Sequence, residues 1–219
     1  MSISFILYML VKKFIELKNI YKGKKIIVCG CGKSLNDFFE SKEFSTIINN
    51  NSIITIGVND VPKLFDPTHL VVTDHTARFN KNRIDLINNC KSKSVITCVK
   101  GWNHPRLVYF ELGKKGRLEL DDFSRVDHHL NSPYTAVNIA YKLGASKIGM
   151  IGVDFTDGHF YSPKDGPHNL TRKYLSSINS SYERLHRALK TRGVDFYNLS
   201  SISKIESIPY LEVKKFIEI

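Results

Sequence analysis

Cysteine is scarce and unpatterned: Cys29, Cys31, Cys90 and Cys98, the only four in 219 residues, form no CxxC pair and no regular spacing. That excludes a disulfide framework of the extracellular kind and leads us to expect a reduced, intracellular chain. No HxxxH and no cysteine–histidine quartet has zinc-ligand spacing. There is no arginine-rich tail either. The 32 lysines and arginines, against 21 aspartates and glutamates, are spread over 12–25, 78–93 and 100–117. The formal charge of +11 therefore favours anionic partners in general, whether nucleotides, nucleic acid or acidic membrane surfaces, and specifies none. The opening "ISFILYMLVKKFIELKNI" is too short in its apolar part to span a bilayer and has no small-residue cleavage site. Residues 1–22 are expected to form an amphipathic helix, docked on the core or laid on a membrane surface through Phe5, Leu7 and the flanking lysines. Residues 23–219 are expected to form one α/β domain, cytoplasmic, with at most peripheral membrane contact.

Apolar, β-branched runs recur at 25–29, 53–58, 69–73, 94–99 and 147–153, separated by helical spacing or turn signals. Buried parallel strands read this way. "NSPYTAVNIAYKLGA" predicts a helix that Ser132 caps, with Pro133 in the first turn and Gly144 at its end. After "KIGMIGVDF" the polar stretch "TDGHFYSPKDGPHN" cannot continue a strand and reads as a functional loop. A long helix over about 171–191, a strand at "VDFYNLS" and a short terminal helix follow. Strands alternating with helices predict a three-layer, mostly parallel, Rossmann-like α/β fold whose crevice lies beyond the carboxyl ends of its strands.

Several polar signals fall at those ends. In "VCGCGKSL", Gly30 and Gly32 let the backbone approach a ligand just where the next helix can offer N–H groups to a phosphate. The turn lacks the third glycine of a dinucleotide fingerprint, and it is not a Walker loop, so a bare strand-to-helix connection is the competing reading. Asn59 and Asp60, Asp74 and His75, and Asp154 each close an apolar run; helix capping or turn closure is the alternative for each. His128 and His129 precede the capped helix, and His159 and His168 sit in the long loop, where an imidazole can accept a proton near neutral pH. Tyr161 shares that loop, and a phenol there can donate to a departing phosphate. Asp74, Asp154 and Asp157 are the candidate magnesium carboxylates, but their spacing fixes no site.

Taken together, "VCGCGKSL", "IGVND", "VVTDHT", "NSPYTAVNIAYKLGASKIGMIGVDF" and "VDFYNLSSISKIESIPY" resemble the bacterial family 42 sialyltransferases and the related DUF115 proteins, in order over about 24–210. The latter include motility-accessory glycosyltransferase-like proteins and MptE-like pyrophosphokinases. The resemblance implies a nucleotide-binding α/β fold with a lid loop. It implies transfer of a sugar from a nucleotide-linked donor, CMP-linked by preference, to a hydroxyl acceptor with inversion and without a cofactor. It puts the donor against Gly30, Cys31, Gly32 and Ser34, with Asn59, Asp74, Ser132 and Asp154 around it. By the same resemblance Tyr161 supports the leaving phosphate, His168 is the general base, and His129 falls near an arginine of the family. Cys31, Lys33 and Thr156 depart from the sialyltransferase pattern, which weakens the case for CMP-sialic acid more than that for a nucleotide-linked donor. The acceptor class stays broad: an anionic glycan, a lipid-linked acceptor or nucleic acid. An oligomer is neither required nor excluded. Two alternatives stand beside this reading. One is ATP- and magnesium-dependent pyrophosphoryl transfer using Asp74 and Asp154; the other is a nucleotide- or nucleic-acid-binding module without catalysis.

Overall fold

The computed structural model describes residues 12–49, 53–129, 131–162 and 172–219. Ten strands are present among them: β1 Lys12–Lys13, β2 Lys25–Cys29, β3 Ile53–Val58, β4 His69–Val72, β5 Ser94–Thr97, β6 Leu107–Tyr109, β7 Glu111–Leu112, β8 Arg125–Val126, β9 Lys147–Ile151 and β10 Asp195–Asn198. Eight form one sheet in the order β1-β6-β5-β4-β3-β2-β9-β10, and β7 pairs with β8 alone. Every pairing in the large sheet is parallel. Six α-helices accompany them: α1 Ser34–Phe39, α2 Lys42–Asn49, α3 Lys81–Asn89, α4 Ser132–Lys142, α5 Arg172–Lys190 and α6 Val213–Glu218.

The alternation along each strand sets the layers. Ile26 and Val28 face a core shared with Val137 and Ile139 of α4 and Leu185 of α5, whereas Ile27 and Cys29 face one shared with Leu35 and Phe38 of α1 and Phe216 of α6. β2 is thus covered on both faces, which is why its sequence is uniformly apolar instead of alternating. Each fully enclosed isoleucine, Ile26 and Ile27 among them, contributes on the order of 2 kcal/mol through burial.

Two expectations change. Residues 12–22 do not continue an amphipathic helix; residues 1–11 lie outside the described residues. Lys12 and Lys13 pair with Val108 and Tyr109 at the sheet edge, and Phe14–Leu17 make a single 3-10 turn. Phe14 then meets Phe110 edge-on at 6.1 Å. The chain next runs along the end of α4: the N–H groups of Asn19, Tyr21 and Gly23 donate to the carbonyls of Lys142, Leu143 and Gly144. Those carbonyls have no intrahelical partner, so satisfying them takes the N–H groups that a helix over 12–22 would need for itself.

The cap of α4 is Asn131, not Ser132. Its Oδ1 accepts from the Tyr134 N–H at 2.9 Å and from the Tyr182 hydroxyl at 2.9 Å, while Ser132 Oγ lies 2.8 Å from Thr73 Oγ1. Asn131→Ala is expected to cost about 1–2 kcal/mol in urea unfolding, more than Ser132→Ala does. The reverse order would remove this capping assignment.

Candidate functional site

The chain runs β2, β3, β4, β5 and β6 outward in one direction and then returns to place β9 on the other side of β2. The strand order reverses at β2, and open parallel sheets bind ligands beyond the carboxyl ends of the strands at such a point. A pocket of about 200 Å³ lies there. Cys31 and Gly32 line it from the turn after β2, and Val58 and Asn59 from the end of β3. The segment after β9 contributes Asp154, Phe155, Thr156 and His159; Asn131 and Ser132 enter from the start of α4, and Tyr174 from α5.

The glycine turn owes its shape first to its own neighbour across the sheet. Gly32 donates its N–H to the Gly152 carbonyl at 2.6 Å, and a Cβ on Gly30 would overlap that same oxygen. A Cβ on Gly32 would overlap Asp154 Oδ2. Asp154 is only 2% exposed and its carboxylate is fully engaged. It accepts from the Ser34 N–H at 2.9 Å, the Ser34 hydroxyl at 2.6 Å and the Ser200 hydroxyl at 2.7 Å. In turn, Ser34 Oγ accepts from the Gly152 N–H at 3.0 Å. The turns after β2, β9 and β10 are joined through one carboxylate, and the first two become pocket walls.

Two non-glycine residues of the pocket hold left-handed backbone, Asn59 at φ 49° and Phe155 at φ 51°. Asparagine tolerates this region; for phenylalanine it costs on the order of 1–2 kcal/mol, a cost typical of functional sites. Two side-chain oxygens of the pocket residues, Asn59 Oδ1 and Thr156 Oγ1, are buried with no hydrogen-bond partner among the described residues. Cys31 Sγ donates to the Val58 carbonyl at 3.4 Å. Burial, and after it the Asp60 charge, push this thiol up to about 12, against the smaller effects of Arg83 and Lys63. Cys31 is therefore a wall residue and not a nucleophile near neutral pH.

The expected site residues divide. Cys31, Gly32, Asn59, Ser132 and Asp154 line the pocket. Gly30 and Ser34 sit behind its wall in the contacts just described. Asp74 is outside the lining and pairs with Arg78 at 2.9 Å. His129 turns away to α5, where Nδ1 lies 2.9 Å from the buried Ser181 hydroxyl. Burial, with the charges of Arg184, Lys115 and His128, lowers its pKa. Tyr161 is not in the lining either; its hydroxyl donates to Asp60 Oδ2 at 3.2 Å, and burial raises its pKa. Asp60, 1% exposed, draws this donor because it already anchors a knot with the Arg83 guanidinium and, at 3.4 Å, Lys63. His168 lies outside the described residues. Sequence reasoning passed over Asn131 and Phe155 as site residues, whereas His159, which it read with His168 as a loop histidine able to accept a proton, does line the pocket.

Asp74 and Asp154, the carboxylates of the magnesium alternative, belong to separate networks and are both committed to protein donors. No cluster of three or more histidine, cysteine, aspartate or glutamate side chains suits a metal among the described residues. Nor is any helix among them long and apolar enough to cross a membrane.

No family model and no curated protein sequence matches this chain. Solved structures do. The MAf glycosyltransferase from Magnetospirillum magneticum AMB-1 superposes with a TM-score of 0.62 at 13% identity over 92% of this chain, which spans only 38% of that protein's length. The sialyltransferase CstII from Campylobacter jejuni, solved with the substrate analogue cytidine-5'-monophosphate, gives 0.50 at 13% identity over 87% of this chain and 85% of that one. CST-II with a trisaccharide acceptor and CMP gives 0.51 at 15%, covering 86% of each chain. At such identities the likeness is one of fold: this chain has a mostly parallel α/β architecture of the kind these glycosyltransferases share.

Proposed function

We propose that the chain transfers a sugar from a nucleotide-linked donor, CMP-linked by preference, to a hydroxyl acceptor with inversion. The observation that carries this reading is the pocket at the reversal of strand order, whose residues Asn59 and Thr156 keep buried oxygens unpaired. An unpaired buried polar atom costs about 1–3 kcal/mol, and a ligand able to hydrogen-bond there offsets that cost. Donor phosphate is supported by the N-terminus of the 11-residue helix α4, whose positive dipole end opens on the pocket through Asn131 and Ser132. The ligands bound in the CstII structures, CMP and a trisaccharide acceptor, fit the same reading. Magnesium-dependent pyrophosphoryl transfer has no comparable support, since Asp154 is taken up by Ser34 and Ser200.

The experiment is a thermal-shift panel of CMP, CMP-sialic acid, UDP, GDP and ATP, each with magnesium and with chelator. A cytidine nucleotide at about 100 times its Kd is expected to add about 2.7 kcal/mol, equally with and without metal. Stabilisation by ATP with magnesium alone would replace transfer of sugar by transfer of pyrophosphate. A flat panel would remove nucleotide binding at this pocket.

A further inference from the structure

From Lys12 to Lys25 the chain carries six lysines and one acid, Glu16. Glu16 is turned back on the chain, its Oε1 accepting from the Lys13 backbone N–H at 2.7 Å. Lys12, Lys13, Lys18, Lys22 and Lys24 are exposed, and none of them pairs with a carboxylate among the described residues. Lys18 Nζ lies 4.2 Å from the centre of the Phe123 ring, and the carboxylates preceding that ring are already taken, Asp121 by Arg192 and Asp122 by Arg125. The charge of this stretch is therefore left for something outside the fold.

Apolar side chains stand among the lysines. Phe14 and Leu17 are buried, but Ile15 and Ile20 are 47% and 46% exposed. A single exposed isoleucine needs no explanation; two of them set between unpaired lysines match an anionic bilayer, whose phosphates meet the ammonium groups while the isoleucines reach past them. Residues 1–11, which lie outside the described residues, read "MSISFILYMLV" and add no charged residue. Nucleic acid suits the stretch less well. Its two aromatic rings, Phe14 and Tyr21, face inward to Phe110 and His69 and are not presented for stacking on bases.

We infer that the stretch Lys12–Lys24 rests on an anionic lipid surface, with Ile15 and Ile20 entering it. Asn19, Tyr21 and Gly23 hold this stretch to the C-terminal end of α4, whereas the pocket opens at the N-terminal end of the same helix. Its 11 residues span about 16 Å, so lipid under Asn19–Gly23 leaves the pocket accessible. The contact is peripheral and independent of what the pocket binds.

The test is sedimentation of the full chain with vesicles of phosphatidylcholine alone and with about 30% phosphatidylglycerol, at about 0.1 M and about 1 M salt. The wild type is expected to pellet with the anionic vesicles at low salt only, because the Debye length falls from about 10 Å to about 3 Å. Each lysine near an anionic surface strengthens binding about fivefold, so Lys12→Gln, Lys13→Gln, Lys22→Gln and Lys24→Gln together are expected to weaken it at least ~100-fold. Ile15→Asn with Ile20→Asn is expected to weaken it about 10-fold. Glutamine at Lys42, Lys81, Lys190 and Lys214, which are exposed elsewhere, removes the same net charge and is expected to leave binding within about fivefold of the wild type.

Equal weakening by the two lysine sets would overturn the assignment to this face, and pelleting with phosphatidylcholine alone would overturn the need for anionic lipid. Wild-type binding by the double isoleucine variant would remove the insertion. A wild type that stays in the supernatant with both vesicles, or that binds a duplex oligonucleotide in their place, would overturn the lipid partner. A dimer that the double isoleucine variant dissociates would give the face to a second copy of this chain instead.

Discussion

Asp154→Asn should unfold about 3 kcal/mol more easily than the wild type and should lose nucleotide binding at the same time. The carboxylate receives the Ser34 N–H, the Ser34 hydroxyl and the Ser200 hydroxyl in a site only 2% exposed. An amide keeps one acceptor oxygen and turns an NH2 group toward donors, so at least one buried N–H or O–H loses its partner. Hydrogen bonds to a charged group are worth about 1.5–3 kcal/mol, and an orphaned buried donor adds its own desolvation cost. For a chain of this size, about 3 kcal/mol corresponds to a fall in Tm of roughly 6–12 °C. Ser200→Ala removes one donor and leaves the carboxylate's other contacts, so its cost should be about half as large. Binding fails in Asp154→Asn because the same carboxylate fixes both turns that wall the pocket. Urea unfolding within 0.5 kcal/mol of the wild type would show that the clasp is not what holds those turns.

That clasp marks the boundary of what the sequence discloses. Strands such as "KIIVC" and "IITIGV" are legible because burial on both faces writes itself as uninterrupted apolar, β-branched residues. The helix at "SPYTAVNIAYK" is legible from its own spacing, with only the cap displaced by one residue to Asn131. The glycine turn is legible as a turn, but its purpose is not, because its partner Asp154 lies 120 residues beyond Ser34. The placement of Tyr161 is not legible for the same reason: Asp60, whose carboxylate accepts from its hydroxyl, is 101 residues earlier. His129 is claimed by Ser181, 52 residues later. The edge strand Lys12–Lys13 exists only through pairing with Val108 and Tyr109, and nothing in two lysines announces that. Local chemistry predicts elements; which polar groups reach the pocket and which are spent on one another is decided by contacts of long sequence separation.

The other large effect is a loss of stability in acid, and it originates far from the pocket. His69, 3% exposed on β4, bridges two hydroxyls: Tyr21 at 2.8 Å from Nε2 and Ser94 at 2.7 Å from Nδ1. Burial, reinforced by the charges of Lys93 and Lys12, lowers its pKa from 6.5 to about 4. Between those values the unfolded chain binds a proton that the native chain refuses, so stability falls as pH drops from about 6.5 toward about 4 and this group takes nothing more below that. A shift of this size is worth about 3 kcal/mol over the full window. Carboxylates lose their native partners in the same acid range, so the wild type alone does not isolate the histidine. His69→Gln retains a side chain able to hydrogen-bond and removes the titration. Between pH 7.5 and pH 4.5 the wild type should therefore lose about 2.5 kcal/mol more than His69→Gln in urea unfolding. Equal losses in the two proteins would mean that His69 takes up its proton in the native state as readily as in the unfolded chain. The segment Asn19–Gly23, which carries Tyr21 and closes the end of α4, should be the first to exchange its amide hydrogens as His69 becomes charged.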